Sequence, residues 1–150
     1  MPVLKYILIP LSAMIALPAA YAQDIAYTLP EDKPFNDEWR YSGAVRSGDT
    51  IYLSGVVAGL RQGETDYEPA FERAFAQIGK TLSLAGAGWE DVVDMTTYHT
   101  DIAAQMTSFR KIKDKYVSEP WPSWTAIGVT RLVPPNGLVE IKIVARVKTR

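Results

Sequence analysis

From Leu138 to Val147 the chain alternates almost without exception. Val139, Ile141, Ile143, Ala145 and Val147 fall on one side, and Glu140, Lys142, Val144 and Arg146 on the other. Successive side chains of a strand point to opposite faces, so this segment is a strand with one apolar face and one mostly polar face. The apolar face requires a layer to bury it. The segment Pro122 to Leu132, just upstream, also reads as a strand, and together the two are expected to form a C-terminal hairpin.

The rest of the chain supplies that layer. Tyr67, Phe71, Ala74, Phe75, Ile78, Leu82 and Ala85 recur at helical spacing and predict a helix over about 67–85. Asp66 is placed to cap its start, Pro69 sits in its first turn, and Gly86 suits the position that ends it. A second helix is predicted over about 102–117, capped by Asp101, with Ile102, Met106, Phe109, Lys113 and Tyr116 aligned. Lys113 is expected to lay its stem on apolar surface and hold its amine in water. Strands are predicted over 40–45, 50–54, 56–60 and 92–100, with Arg46-Ser47-Gly48-Asp49 as a turn. The order β-β-β-α-β-α-β-β describes an α+β, two-layer domain: a mixed sheet with two helices on one face. No helix remains for the other sheet face, which is expected to carry Trp124 and Tyr41 and to pack against further copies of the chain.

The first residues read differently. Lys5, an apolar run from Tyr6 to Leu17 and the ending Ala20-Tyr21-Ala22 have the pattern of a secretory signal peptide over 1–22, cleaved after Ala22. The predicted organisation is signal peptide 1–22, extended arm 23–38 and one domain 39–150, the mature protein being periplasmic or secreted without stable membrane insertion; the alternative is that 1–22 stays uncleaved as an N-terminal anchor. The formal charge is −1, and loss of residues 1–22 removes one lysine and no acid, leaving −2. That balance argues against a nucleic-acid partner. There is no cysteine, hence no thiol nucleophile and no cysteine metal site. His99 is the only histidine, on a strand end where a surface or packing role is expected.

Several blocks resemble the RidA (YjgF-type) imine deaminase family: Tyr41-Ser42-Gly43-Ala44-Val45-Arg46-Ser47-Gly48-Asp49 through Ser54-Gly55, Leu84 to Val93, Tyr98 with Asp101, and Glu140 in the last strand. The resemblance covers about Trp39 to Val147. It implies a chorismate-mutase-like fold, a homotrimer with three clefts between subunits, and hydrolysis of 2-imino or enamino acids to 2-oxo acids and ammonia. It also implies no metal and no organic cofactor. Tyr41, Ser54, Gly55 and Glu140 keep the family's residue types, with Glu140 as the candidate catalytic group that orients water.

The family's glutamines fall on Gly43 and Val56, its frequent asparagine on Phe109, and its carboxylate-anchoring arginine on Trp124. An indole cannot reproduce the bidentate fork of a guanidinium. Trp124 therefore either plugs the cleft or walls one adapted to an apolar or aromatic ligand. Glu140 either serves chemistry or pairs with Lys142 of a neighbouring copy or with Arg146, and Lys142, on the same face, is expected to pair with it. Arg40 and Arg131 differ in strand parity from Tyr41 and Trp124 and do not replace the lost cation. Two functions stay open: an exported, divergent deaminase or hydrolase whose substrate site includes Tyr41, Ser54, Gly55, Phe109 and Trp124, or a non-catalytic trimer that binds a small apolar or aromatic metabolite.

Overall fold

A computed structural model describes residues 23–147. The segment read as a signal peptide lies outside the described residues. In chain order the elements are β1 (Ile25–Tyr27), α1 (Lys33–Trp39), β2 (Ala44–Ser47), β3 (Thr50–Leu53), β4 (Val56–Gly59), α2 (Glu68–Leu84), β5 (Val92–His99), α3 (Ile102–Lys113), β6 (Ser123–Gly128) and β7 (Gly137–Arg146).

They form one mixed sheet in the order β1-β2-β3-β7-β5-β6, with β4 also paired to β7. The alternating strand β7 runs through its middle. Its C-terminal half pairs with β3 and its N-terminal half with β4, while β5 lies along its other edge. Val139, Ile141, Ile143 and Ala145 are fully buried, in one core with Phe71, Phe75, Ile78 and Leu82 of α2 and Phe109 and Ile112 of α3. Each of these Val, Ile, Leu and Phe side chains contributes roughly 1.5–3 kcal/mol by leaving water. Among the described residues no helix covers the other face, with Glu140, Lys142, Val144 and Arg146. Tyr52 and Ile127 lie there in register with Val144 and Tyr98, exposed by 48% and 40%.

The residues predicted at the helix ends are in use, although Tyr67 rather than Asp66 is the N-cap of α2 and α3 stops at Lys113, short of the expected 117. The Asp101 carboxylate accepts the Ala104 N–H at 3.0 Å, and Asp66 accepts the Glu68 N–H at 3.1 Å. Gly86 has φ +83°, the left-handed conformation that glycine adopts without strain.

Four expectations are corrected. The last two strands are not a hairpin: β6 pairs with β5, in parallel, and never with β7. Helix α3 is the crossover between β5 and β6, and the linker through Pro134-Pro135 is too long for a tight reversal. The arm is not simply extended. Residues 25–27 add to the sheet edge, and Pro34, which reads as a breaker, sits in the first turn of α1 where its missing N–H is harmless. Arg40 has φ +56° at the end of α1, so β2 begins only at Ala44. Finally, Trp124 is in register with the buried Met95, which turns its ring to the helix side rather than the uncovered side.

A polar chain crosses the core beside that ring. Trp124 Nε1–H donates to Thr97 Oγ1 (3.1 Å), which lies 3.0 Å from His99 Nε2. Gln105 Nε2 donates to Thr100 Oγ1, and that hydroxyl donates to the Leu138 carbonyl, both at 3.0 Å. His99 is fully buried, its ring edge-on to Phe109 at 5.1 Å. Its Nδ1 and the Gln105 Oε1 are left without a hydrogen-bond partner. A proton on Nδ1 matches these groups best, because Nε2 then accepts from Thr97 and Nδ1–H is a donor for the neighbouring Gln105.

Burial pushes the His99 pKa below the usual imidazole range, against a smaller upward pull from Gln105. The unfolded chain therefore takes up this proton first. The stabilisation is complete above the unfolded histidine pKa of about 6.5 and declines as pH falls below it. Urea unfolding between pH 7.5 and 5.5 is expected to show stability falling toward acid, and His99→Gln to flatten that slope. An unchanged slope in the variant would assign the effect to other groups.

Candidate functional site

The site begins where one strand becomes two. β3 and β4 lie end to end on β7, interrupted at Ser54-Gly55. The interruption is held from several sides. Ser54 N–H donates to the Gly43 carbonyl at 2.9 Å, its Oγ donates to the Ser42 carbonyl at 2.7 Å, and Lys142 Nζ donates to the Leu53 carbonyl at 3.3 Å. Lys142 is thus engaged by backbone, not by Glu140 as the shared face had implied.

Gly55 is required here for space. The Glu140 carboxylate lies directly against it, and a Cβ at position 55 would collide with the carboxyl group. Glu140 is half-buried, in register with Val57 and Tyr98 on the uncovered face. Tyr41 stands near enough to feel it: partial burial raises the phenol pKa, and the charges of Asp32 and Glu140 add to the rise. At neutral pH Tyr41 is therefore a protonated, neutral hydrogen-bond donor.

A cleft of about 280 Å³ opens beside this break, lined among others by Asp32, Phe35, Asn36, Tyr41, Ser54 and Gly55. Three of these, Asp32, Phe35 and Asn36, were not singled out in the sequence. Phe35 stacks on Trp39 at 5.4 Å and meets Tyr41 edge-on at 6.2 Å, forming an exposed aromatic wall. Asn36 is only 3% exposed. With its amide turned so that Oδ1 accepts the Gly43 N–H (3.1 Å), Nδ2 donates to the Asp32 carbonyl (3.1 Å) and to Tyr41 Oη (3.2 Å). The Tyr41 hydroxyl then receives from Asn36 and keeps its own proton for the cleft. Only position could have flagged Asn36, since a lone asparagine beside charged residues reads as a surface residue.

Four of the six predicted site residues, Tyr41, Ser54, Gly55 and Glu140, are therefore neighbours. The other two are elsewhere. Trp124 lies two strands from β7 and on the opposite sheet face, about 10 Å away across the sheet at the usual strand spacing. Phe109 is fully buried behind it, with ring centroids 6.0 Å apart, so it supports the Trp124 ring and presents no surface of its own. Arg131 lies beyond β6, where strand parity no longer applies, and is exposed. His99 is a core residue. Among the described residues, no group of three or more His, Cys, Asp or Glu is placed to hold a metal ion, and no helix is long and apolar enough to cross a membrane.

Residues 32–147 match the family model described as Endoribonuclease L-PSP. The chain is 39% identical over 113 residues to the RutC family protein YjgH of Escherichia coli (strain K12), covering 73% of this chain and 85% of that protein. The solved structure of protein YJGH matches with a TM-score of 0.74 and 33% identity, over 86% of this chain and 100% of that one. A 2-iminobutanoate/2-iminopropanoate deaminase of Dermatophagoides farinae is 28% identical over 106 residues, 68% of this chain and 81% of that protein. By this family match and these identities the chain belongs to the Endoribonuclease L-PSP family, that of the RidA and YjgF-type proteins.

Proposed function

We propose that this protein is an exported family member that binds a small molecule in clefts shared between three copies of the chain, and that it is a divergent imine or enamine deaminase or hydrolase. The assembly of Tyr41, Ser54, Gly55 and Glu140 around the strand break carries this reading. Hydrolysis of an imine needs water added to the C=N carbon and ammonia expelled from the resulting carbinolamine, leaving a carbonyl. A half-buried carboxylate can orient that water and take its proton, and a neutral phenol can donate to the substrate. The relative from Dermatophagoides farinae carries that activity in its name. The near-neutral charge does not favour the RNA substrate that the family description mentions.

Two observations support assembly. Tyr52 and Ile127 are exposed on an uncovered sheet face, a surface that usually belongs to an interface. The two groups of candidate residues lie too far apart in one copy to meet on a single small ligand, which a neighbouring copy can remedy. Export rests on the sequence of residues 1–22 alone, and a periplasmic or secreted product starting at Gln23 is its consequence.

Trp124 favours a second reading. If it stands where relatives carry the anchoring arginine, small imino acids lose a bidentate partner, and a non-catalytic trimer that binds an apolar or aromatic metabolite becomes the alternative. Loss of such a pair costs about 2 kcal/mol or more, so decay of enzymatically generated 2-iminopropanoate is expected to be at least ~30-fold slower than with arginine-bearing relatives. Decay at their rate would overturn the altered-specificity reading. Trp124→Arg is expected to restore part of the activity. No gain, with the assembly intact by light scattering, selects the binding reading, and a monomer in solution removes the shared cleft altogether.

Gly55→Ala tests the carboxylate placement. Glu140 can swing aside, so the variant is expected to fold with a loss of about 1–3 kcal/mol, typical of overpacking. It should lose at least ~10-fold of any imine hydrolysis, matching Glu140→Gln. Full activity in both would remove Glu140 from the chemistry.

A further inference from the structure

The cation at Trp124 comes from a residue expected in water. Lys113 closes α3, and its side chain is only 13% exposed. Its Nζ sits 5.1 Å from the centroid of the Trp124 ring and donates to Asp114 Oδ1 at 2.6 Å. An ammonium over an indole face is an attractive arrangement, stronger where water is excluded. Of the three N–H donors, one goes to Asp114 and one faces the ring, which leaves a third.

A pocket of about 200 Å³ opens at this point, lined by Met95, Lys113, Val117, Trp121, Pro122 and Trp124. Met95 and Val117 are buried, whereas Trp121 is 63% exposed and forms the outer wall. Lys113 is the only charged residue in the lining; the rest is apolar apart from the two indole N–H groups. The Trp124 N–H is already committed to Thr97, so the ring offers the pocket its face.

We infer that this pocket binds a small aromatic monocarboxylate, its ring against Trp124 and Trp121 and its carboxylate on Lys113 Nζ, in exchange for or beside Asp114. Once the exposed Asp114 carboxylate turns out to water, one cation with apolar walls matches one negative charge on a flat apolar body. A dianion such as phosphate would bring a second charge that nothing in the lining balances, at a steep desolvation cost. The inference deepens the proposed function, resting on Trp124 as ligand-facing surface, but the pocket is built within one copy. It needs neither the imine chemistry nor the Tyr41 cleft.

The test uses the purified protein at pH 7 with phenylacetate and its uncharged analogue phenylacetamide, titrated calorimetrically and followed at the indole N–H resonances. Phenylacetate is expected to bind at least ~10-fold more tightly than the amide and to shift the Trp121 and Trp124 signals. Lys113→Met should abolish the preference and Lys113→Arg should keep it. Asp114→Asn, at an exposed position, should tighten phenylacetate binding several-fold by removing the competing carboxylate. Equal binding of acid and amide, no binding of either, unmoved indole signals, or a preference that survives Lys113→Met would each overturn the inference. None of these outcomes bears on imine decay or on the number of copies, and a protein inactive on imines can still show the acid preference.

Discussion

Strand β7 is paired along nearly its whole length and apolar on one face only, and the remainder of the domain is arranged around that asymmetry. Burying Val139, Ile141, Ile143 and Ala145 obliges α2 and α3 to lie on the same side. Glu140 and Lys142 are then committed to the other side by strand geometry alone. The edge shared by β3 and β4 is interrupted where those two polar side chains need room: Lys142 takes the Leu53 carbonyl, and Glu140 lies against Gly55. Core and candidate site thus follow from the same alternation, read from its two faces.

Much of this was legible because the signals were strict. Ten residues of β7 with almost unbroken alternation fix its faces, and a stripe of Phe71, Phe75, Ile78 and Leu82 fixes the face of α2. Asp101 and Gly86 act through local backbone chemistry, which a sequence displays directly. Partner choice is not local. Nothing in Ser123 to Gly128 states that it pairs with β5, because a strand's composition does not specify which edge it joins. β6 also lacks an apolar–polar rhythm, being mostly exposed, so the side taken by Trp124 could be read only from its register with Met95. The arm was read as extended although it carries α1, since proline breaks a helix interior but not the first turn, where Pro34 sits.

The candidate site was legible to the extent that its residues lie on regular elements. Tyr41, Ser54, Gly55 and Glu140 came together as expected from their blocks. Asn36 escaped notice because its value lies in burial and three hydrogen-bond partners, none visible in a sequence. Lys113 escaped for the opposite reason. A lysine on an amphipathic helix ordinarily extends into solvent, and only the ring of Trp124 opposite the last turn of α3 gives its amine somewhere better to be. The two groups differ in character: one polar and anionic at the strand break, the other aromatic and cationic at the sheet's end.

The place of β6 in the sheet has a consequence of its own. Among the described residues it bonds only to β5, so its outer row of N–H and C=O groups is open along six residues with no proline among them. Such an edge is a template for adding any extended chain, its own kind included. A solitary copy is therefore a vulnerable species, safest when it is scarce or short-lived.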